Sequence, residues 1–363
     1  MFEHAMKIAT IVGARPQFIK AATISRAIAA RTGISEVLIH TGQHFDANMS
    51  NVFFTELDIR KPDHHLGIGG GTHGENTGRM IEAIEKVLII EKPDWVLIYG
   101  DTDSTLAGAL AAVKLHIPLA HVEAGLRSFN RRMPEEINRV LTDHASDLLF
   151  VPTITAIKNL ANEGIGADKV HLVGDVMYDA MLYYQAKARK PISVEISGEA
   201  PFVLCTIHRA ENTDDIARLT AIVINLNHLA EQMPVILPLH PRTVAALKQL
   251  PGVSLNPSML VIEPVGFLEM TWLIAKCSLV LTDSGGVQKE AYFHKKPCLT
   301  LRDETEWVEL VDAGFNRLVS PFSSDFMDVV TLMSQKEILD GPSLYGNGQA
   351  ANLTLDVLQT EVI

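Results

Sequence analysis

The sequence predicts an α/β protein of two doubly wound domains, and three observations carry that prediction. Short apolar, β-branched runs alternate along the chain with longer stretches of helical period, the pattern of βα units on a parallel sheet. The alternation comes in two series, separated by a segment without apolar period. The length, 363 residues, exceeds what one hydrophobic core usually organises.

In the first series KIATIV, EVLIHT, DWVLIYG, LAHVEA, LLFVPT and VHLVG read as strands buried on both faces. FIKAATISRAIAA, GENTGRMIEAIEKVLIIE and STLAGALAAVKLH read as the helices between them. The second series begins near Pro201 with FVLCTIH, VILPLHP, LVIEPV, LVLTDSG, CLTL and RLVS, separated by helical stretches such as DIARLTAIVINLNHLAEQM. The domain linker is placed around YYQAKARKPISVEISGEAP, which contains two prolines and a glycine. The tail, GQAANLTLDVLQTEV, has helical spacing.

The net charge of −12 gives no general field for nucleic acid or an anionic membrane, so any anion site is local. The hydrophobic content, 47%, suffices for a sizeable core. Cys205, Cys277 and Cys298 are widely spaced, set in apolar runs and form no CxxC pair, which points to core packing in a reducing cytoplasm. No secretory stretch opens the sequence, and no run is long and apolar enough to span a bilayer. The expected setting is cytoplasmic.

Two signals are decoys. GGGTHG at residues 69–74 matches GxGxxG but follows HHLGIG, not an apolar strand, so it reads as a loop rather than a dinucleotide site. Tyr183 and Lys187 have YxxxK spacing without the N-terminal glycine fingerprint that NAD would require, and read as a linker-helix surface. Neither supports NAD.

In open parallel sheets ligands bind outside the carboxyl ends of strands, so the residues behind each strand carry the weight. After KIATIV comes GARPQFIK. Gly13 permits close backbone approach to a ligand, Arg15 offers a planar fork for phosphate, and Lys20 lies on the following helix. A plain glycine turn with Pro16 starting a helix fits equally well. After DWVLIY comes GDTDST: Asp103 is expected to cap the helix STLAGALAAV, and Asp101, directly behind Gly100, is the catalytic candidate. Glu123 follows PLAHV at the next strand end. With Asp101 and Glu135 of PEEINR it makes a cluster of carboxylates, which raise one another's pKa and suit proton transfer. Glu136 and Arg139, at helical i, i+3 spacing, are open to reading as no more than a surface pair.

In the second half FVLCTI ends in HRAEN, which puts His208 and Arg209 at a phosphate position; a histidine merely ending a strand is the equal alternative. VILPLHPR repeats the design with His240 and Arg242. LVLTDSGGVQKEA is the strongest local signal. A strand ends in Asp283, Ser284, Gly285 and Gly286 and a helix begins, leaving backbone N–H groups aimed at an anion. Glu290, one to two turns into that helix, is within reach of a ribose diol. Arg302, Thr305 and Glu306 of LRDETEW follow the next strand and face the same cleft. One half concentrates acids and the other phosphate-binding groups. A nucleotide sugar fits that division, with diphosphate and nucleoside on the second domain and sugar towards the first.

Taken together, GARPQFIK, YGDTDSTLAG, HVEAGLRS, PEEINR, TIHRAEN, LHPR, TDSGGVQKEA and RDETE resemble the non-hydrolysing UDP-N-acetylglucosamine 2-epimerases, in order over nearly the whole chain. The resemblance implies a GT-B fold: Rossmann-like domains over residues 1–182 and 183–345, a C-terminal helix at about 346–363 returning to the first, and an active site in the interdomain cleft. It implies an isomerase that interconverts UDP-GlcNAc and UDP-ManNAc without NAD or metal, usually as a homodimer. Residue by residue it points to Asp101, Glu123 and Glu135 as the acid/base carboxylates. Lys20 and His208 join that catalytic set, with Arg15 near the diphosphate. Ser284, Gly285, Gly286 and Glu290 match the UDP site, Glu290 on the ribose. The chemistry agrees with the residues. A proton beside an ether carbon is weakly acidic, but expelling UDP from C1 builds oxocarbenium character that acidifies C2–H. A carboxylate removes that proton to give a 2-acetamidoglucal, and UDP re-adds as a proton arrives on the other face.

The chain departs from the family pattern in two places. Thr305, Glu306, Trp307 and Val308 stand where many members read T-E-R-P. LGIGGGTHGENTG differs from the usual arginine-bearing loop near the place where some members bind a second UDP-GlcNAc as activator, a region matched by Gln43 and His44 of TGQH. Both changes suit a relative acting on a modified sugar, such as the epimerases of UDP-2,3-diacetamido-2,3-dideoxyglucuronate used in O-antigen synthesis. Arg131 or Arg132 would then meet the sugar carboxylate. The rival readings are a GT-B glycosyltransferase using a UDP-sugar donor, which needs an acceptor site, and a non-catalytic nucleotide-sugar sensor, which leaves the acidic cluster without a purpose.

Overall fold

The structure, a computed structural model, describes residues 5–43, 57, 59–195, 200–336, 338 and 343–361. The chain divides into two compact units, Met1–Leu182 with Ser343–Ile363, and Tyr183–Pro342.

The first unit runs β1 (Met6–Val12), α1 (Arg15–Ala29), β2 (Ile34–His40), β3 (His64–His65), α2 (His73–Glu91), β4 (Trp95–Tyr99), α3 (Asp103–Lys114), β5 (Leu119–Val122), α4 (Pro134–Ala145), β6 (Leu148–Val151), α5 (Ile154–Asn162), β7 (Val170–Leu172) and α6 (Val176–Tyr184). The second runs β8 (Val203–Thr206), α7 (Ala210–Thr213), α8 (Ile216–Ala230), β9 (Val235–Pro238), α9 (Pro241–Leu247), β10 (Leu260–Ile262), α10 (Phe267–Lys276), β11 (Leu279–Thr282), α11 (Gly285–Phe293), β12 (Cys298–Thr300), α12 (Val308–Asp312), β13 (Asn316–Leu318) and α13 (Phe326–Ser334). The last helix, α14 (Ala350–Thr360), belongs to the first unit.

Each unit is built on one parallel sheet. The orders are β3-β2-β1-β4-β5-β6-β7 and β10-β9-β8-β11-β12-β13. Both sheets therefore start at a central strand, grow to one edge, and return to grow the other way, which creates a switch point between β1 and β4 and another between β8 and β11. Register is continuous across these strands, with Ala9 opposite Val96 and Leu281 opposite Cys205. The strands read as unbroken apolar runs because both faces are covered. Ile11, Val96 and Ile98 enter the cluster that includes Met80 and Ile84 of α2, while Ile8, Leu97 and Tyr99 are buried outside it.

Local chemistry sets the helix ends. α1 opens on Pro16, and the Gln17 side chain reaches back to accept from the Gly13 and Ala14 N–H groups at 2.8 and 2.9 Å. α2 opens where GGGTHG was read as loop. The Thr72 hydroxyl accepts from Glu75 N–H and caps the helix, so His73 and Gly74 are already its first turn. α8 is capped by Asp215, which accepts from Ala217 and Arg218 N–H at 2.9 and 3.0 Å.

The carboxylate of Asp179 on α6 accepts from the Ala350 and Ala351 N–H groups at 3.2 and 2.9 Å and so holds the start of α14. At the other end of α14 Arg31 pairs with Asp356 at 2.7 Å. Burial, the dominant influence, pushes the Asp179 carboxyl up to about 6 in spite of the two N–H donors. An acid with a raised folded value binds its proton more tightly folded than unfolded. Its favourable contribution is therefore present at pH below the ordinary aspartate value and lost as pH rises through about 6. Asp179→Asn removes the titration. Its thermal midpoint relative to wild type is expected to be lower at pH 5 than at pH 7.5, and a midpoint difference independent of pH overturns this account.

Among the described residues no helix is long and apolar enough to cross a membrane. Cys205, Cys277 and Cys298 are buried and unbridged, and burial pushes the thiols of Cys277 and Cys298 up to about 12.

Candidate functional site

The predicted site residues gather in two groups, one at the strand ends of each unit. In the first unit β4 ends at Tyr99 and the chain turns at Gly100, whose φ of +62° is the left-handed region that glycine tolerates. Lys20, from α1, and Glu123, just past β5, meet beside Gly100. Lys20 Nζ donates to Glu123 Oε1 at 2.6 Å, and both side chains are only 9% exposed. Glu123 itself has φ +70°. A non-glycine residue held there carries backbone strain that surrounding structure must enforce.

Asp101 follows Gly100 and pairs with Arg139 of α4. Arg139 also donates to Glu136 Oε2 at 2.8 Å. Glu136 and Arg139 are both buried, so the surface-pair reading is corrected. Glu136 accepts from Ser128 N–H at 3.0 Å and Phe129 N–H at 2.9 Å and fixes the loop before α4. Glu135, its neighbour, is exposed on the first turn of α4.

Two further expectations are corrected here. Thr102, not Asp103, caps α3. Asp103 is the first residue inside the helix and is buried, where it pairs with His73 Nδ1 at 2.8 Å and accepts from Asn138 Nδ2 at 3.1 Å. Gly13 makes a close approach, but to protein: a methyl group there would lie 2.0 Å from Ser104 Oγ and 2.1 Å from Thr41 Oγ1. Gln43 is drawn to the same spot and accepts from Ser104 N–H at 3.0 Å. His44 and the Arg15 side chain lie outside the described residues. Arg131 and Arg132 are exposed in the loop before α4.

Sequence reasoning missed the most buried polar network in this unit. His121, in the middle of apolar β5, has Nδ1 2.7 Å from Asp143 Oδ1 and Nε2 2.7 Å from the Gly100 carbonyl oxygen. Asp143 Oδ2 accepts from Gly125 N–H at 3.1 Å and from Arg127 Nη1 at 2.7 Å. Arg127 in turn makes a two-pronged pair with Glu163, at 2.7 and 2.6 Å. Burial pushes the Asp143 carboxyl up, but His121 and Arg127 more than offset it and hold the group below the ordinary carboxylate range. A signal for this network was present. Glu136, Arg139 and Asp143 are spaced i, i+3, i+7 and share one face of α4, a charged stripe that turns inward.

In the second unit Asp283, fully buried behind β11, ties the two central loops together. It accepts from His208 N–H at 3.0 Å, Arg209 N–H at 3.0 Å and Asn212 Nδ2 at 3.1 Å. His208 Nδ1 lies 3.3 Å from Asp283 Oδ1. Desolvation lowers the histidine's pKa, the nearby cations Arg209 and Arg242 add to the fall, and Asp283 opposes it. Ser284 is the N-cap of α11, which begins at buried Gly285 and exposed Gly286. Glu290 lies on the same helix, partly buried.

Behind that helix end stands an ion cluster. Arg302, 1% exposed, pairs with Glu306 at 2.8 Å and Glu211 at 3.2 Å, and Arg209 Nη2 comes within 3.7 Å of Glu306. Burial raises the Glu306 carboxyl, yet Arg302 and Arg209 bring it below its usual range. The Thr305 hydroxyl donates to Gln288 Oε1 at 2.8 Å, in an interior chain with Asn316. Trp307 is buried, with Lys289 Nζ 4.1 Å above its ring. His240 caps α9 by accepting from Arg242 N–H at 3.2 Å, and its ring lies 6.0 Å from that of His208. Arg242 is tied to Asp214 at 2.6 Å and to the Thr213 hydroxyl at 3.0 Å. Among the described residues no cluster of three or more His, Cys, Asp or Glu side chains is arranged to hold a metal ion.

Two doubly wound parallel units, one with ion-paired carboxylates behind its strands and the other with a helix N-terminus beside an arginine–glutamate cluster, define an α/β protein of the GT-B class. The family model described as UDP-N-acetylglucosamine 2-epimerase matches residues 26–359, and the chain belongs to that family of isomerases. It is 56% identical to the UDP-2,3-diacetamido-2,3-dideoxy-D-glucuronate 2-epimerase of Pseudomonas aeruginosa, over 97% of this chain and 99% of that one. It is 45% identical to the UDP-N-acetylglucosamine 2-epimerase of Methanocaldococcus jannaschii, over 97% and 99%. The crystal structure of the Methanocaldococcus jannaschii UDP-GlcNAc 2-epimerase in complex with UDP-GlcNAc and UDP superposes with a TM-score of 0.88 at 43% identity, covering 98% of this chain and all of that one.

Proposed function

We propose that the chain is a non-hydrolysing 2-epimerase of a UDP-2-acetamido-2-deoxy sugar, interconverting UDP-N-acetylglucosamine and UDP-N-acetylmannosamine. The observation that carries the reading is the buried Lys20–Glu123 pair at 2.6 Å beside the Gly100–Asp101 turn. It sets a carboxylate against an ammonium at a strand end, where a positioned proton-transfer group is wanted. The reaction balances without a co-reactant. The C2–H and C1–O bonds break, C1=C2 forms, and UDP leaves as a 2-acetamidoglucal remains. UDP then re-adds at C1 as a proton returns to C2 from the opposite face. Asp101, Glu123 and Glu135 are the carboxylates proposed for the two proton transfers. His208, Arg209, the Ser284 side chain and the N–H groups of Gly285 and Gly286 are proposed to hold the departing diphosphate. Glu290 is proposed for the ribose. No hydride moves, so the step calls for neither NAD nor a metal.

A second substrate is favoured by one comparison. Identity to the diacetamidoglucuronate epimerase, 56%, exceeds the 45% shared with a UDP-N-acetylglucosamine enzyme. Incubation with each UDP-sugar in deuterium oxide, with no acceptor present, tests both readings. Deuterium is expected at C2, and the sugar with the higher turnover is the substrate. No deuterium with either sugar ends the epimerase reading and favours a glycosyltransferase or a sensor. A cytoplasmic setting is supported by the three reduced, buried thiols, and a homodimer, checked by sedimentation, is the assembly proposed.

Tyr183 and Lys187 stay outside this chemistry. Lys187 Nζ lies 4.4 Å above the exposed Tyr183 ring and donates to its hydroxyl at 3.1 Å. Tyr183→Phe is expected to leave C2 exchange within about twofold of wild type, as for a surface substitution. A larger loss draws Tyr183 into the reaction.

A further inference from the structure

We propose that His121 is a positioning residue for the epimerisation: its doubly protonated ring, clamped between Asp143 and the Gly100 carbonyl, sets the Gly100–Asp101 turn and with it the carboxylates on either side. The proposal rests on the epimerase reading above.

Both ring nitrogens face acceptors at 2.7 Å. A backbone carbonyl has no hydrogen to give. Asp143 accepts from Arg127 Nη1 at 2.7 Å and from Gly125 N–H at 3.1 Å, partners of a carboxylate, and has none either. Each ring nitrogen therefore carries the hydrogen of its own bond, and the ring is an imidazolium. The charges around it are accounted for: Asp143 and Arg139 on α4, Arg127 and Glu163 behind Asp143, and Asp101 and the Lys20–Glu123 pair at the strand tips.

The ring acts on the site through backbone. Gly100 is held from two sides, by its N–H donating to the Val122 carbonyl at 3.0 Å and by its carbonyl accepting from His121. With both ends fixed, the Gly100–Asp101 peptide plane is fixed, and so is the direction in which the Asp101 side chain leaves the chain. His121 also lies two residues before Glu123, whose own N–H donates to Phe150 O at 3.1 Å. The ring thus braces the Gly100–Asp101 turn directly, and its own strand carries Glu123 two residues on. An apolar replacement would leave a buried carbonyl and a buried carboxylate short of a donor.

Two substitutions separate positioning from mere stability. His121→Gln places an amide nitrogen near the Nε2 position and can keep the bond to Gly100. His121→Asn places it near Nδ1 and can keep the bond to Asp143 while releasing Gly100. For C2–H exchange, kcat is expected to fall about 100-fold in His121→Asn, as for a displaced catalytic group, and about tenfold in His121→Gln, with KM within about threefold in both. Equal losses in the two variants, or a rise in KM with kcat kept, overturn the proposal. Nitrogen NMR of histidine-labelled wild-type protein at neutral pH gives a readout free of both folding and activity. The His121 ring, assigned in wild type through its own backbone resonances, is expected with both nitrogens protonated, and a ring with one bare nitrogen overturns the proposal even where a variant fails to fold. If wild type exchanges neither UDP-sugar, the epimerase reading fails by itself, and the NMR result still decides whether the clamp exists.

Discussion

Glu123→Gln is expected to lower C2–H exchange by about 10²–10⁴-fold, the contribution of a positioned proton-transfer group. The same change should destabilise the protein by about 3–5 kcal/mol, the effect of removing one partner from a buried ion pair. Both losses follow from one geometry. Lys20 and Glu123 are each 9% exposed and 2.6 Å apart, so an amide at position 123 strips a desolvated ammonium of its carboxylate. The two effects come apart in the double variant. Lys20→Met with Glu123→Gln removes both charges and should recover much of the thermal midpoint, because a buried pair replaced by neutral groups is often tolerated. It should recover no exchange, because the carboxylate is still missing. A folded Glu123→Gln protein that exchanges C2–H at the wild-type rate removes Glu123 from the proposed chemistry.

Asp143→Asn is expected to cost about 3–5 kcal/mol at pH 7, since it leaves the Arg127 guanidinium and the His121 ring facing a neutral amide in a buried network. Asp143 accepts from Arg127, His121 and Gly125 at once, and an Asn side chain offers one acceptor oxygen in place of two. The sign of the pH dependence follows from the depressed folded pKa. The carboxylate's contribution is fully present above the ordinary aspartate value of about 4, and is lost as pH falls through the lower folded value. Thermal melts of wild type and variant between pH 3 and 7 should therefore differ most at the neutral end and converge in acid. Equal midpoints at pH 7 would remove the network from the list of what holds the first unit together.

Much of the fold was legible because its signal is local. A strand buried on both faces is apolar at most positions, and β1, β4, β5, β8 and β11 are short runs of that kind. The site candidates follow where such runs end, and Asp101, Glu123, His208 and Ser284 all lie just past those strand ends. Errors arose where one residue type serves two purposes. Asp103 and Thr102 are both good capping residues, and only the backbone at position 102 decides that the threonine hydroxyl takes the N–H. Arg242 and Thr305 read as ligand-binding types, and only the folded chain shows that they also hold α7 and Gln288. Glu136 and Arg139 looked like a solvent-exposed pair because charge on a helix usually faces water.

The sequence by itself determined two doubly wound sheets, where their strands end, and which acids and cations follow those ends, because hydrophobic period and turn chemistry act over a few residues. Tertiary structure alone decided the partners: that Lys20 meets Glu123 across 103 positions of chain, and that His121 joins Asp143 on a helix to Gly100 in the turn behind a neighbouring strand. A buried charge is tolerated only opposite its complement, and which complement folding brings to it depends on strand order and helix facing, quantities that no short stretch of residues contains.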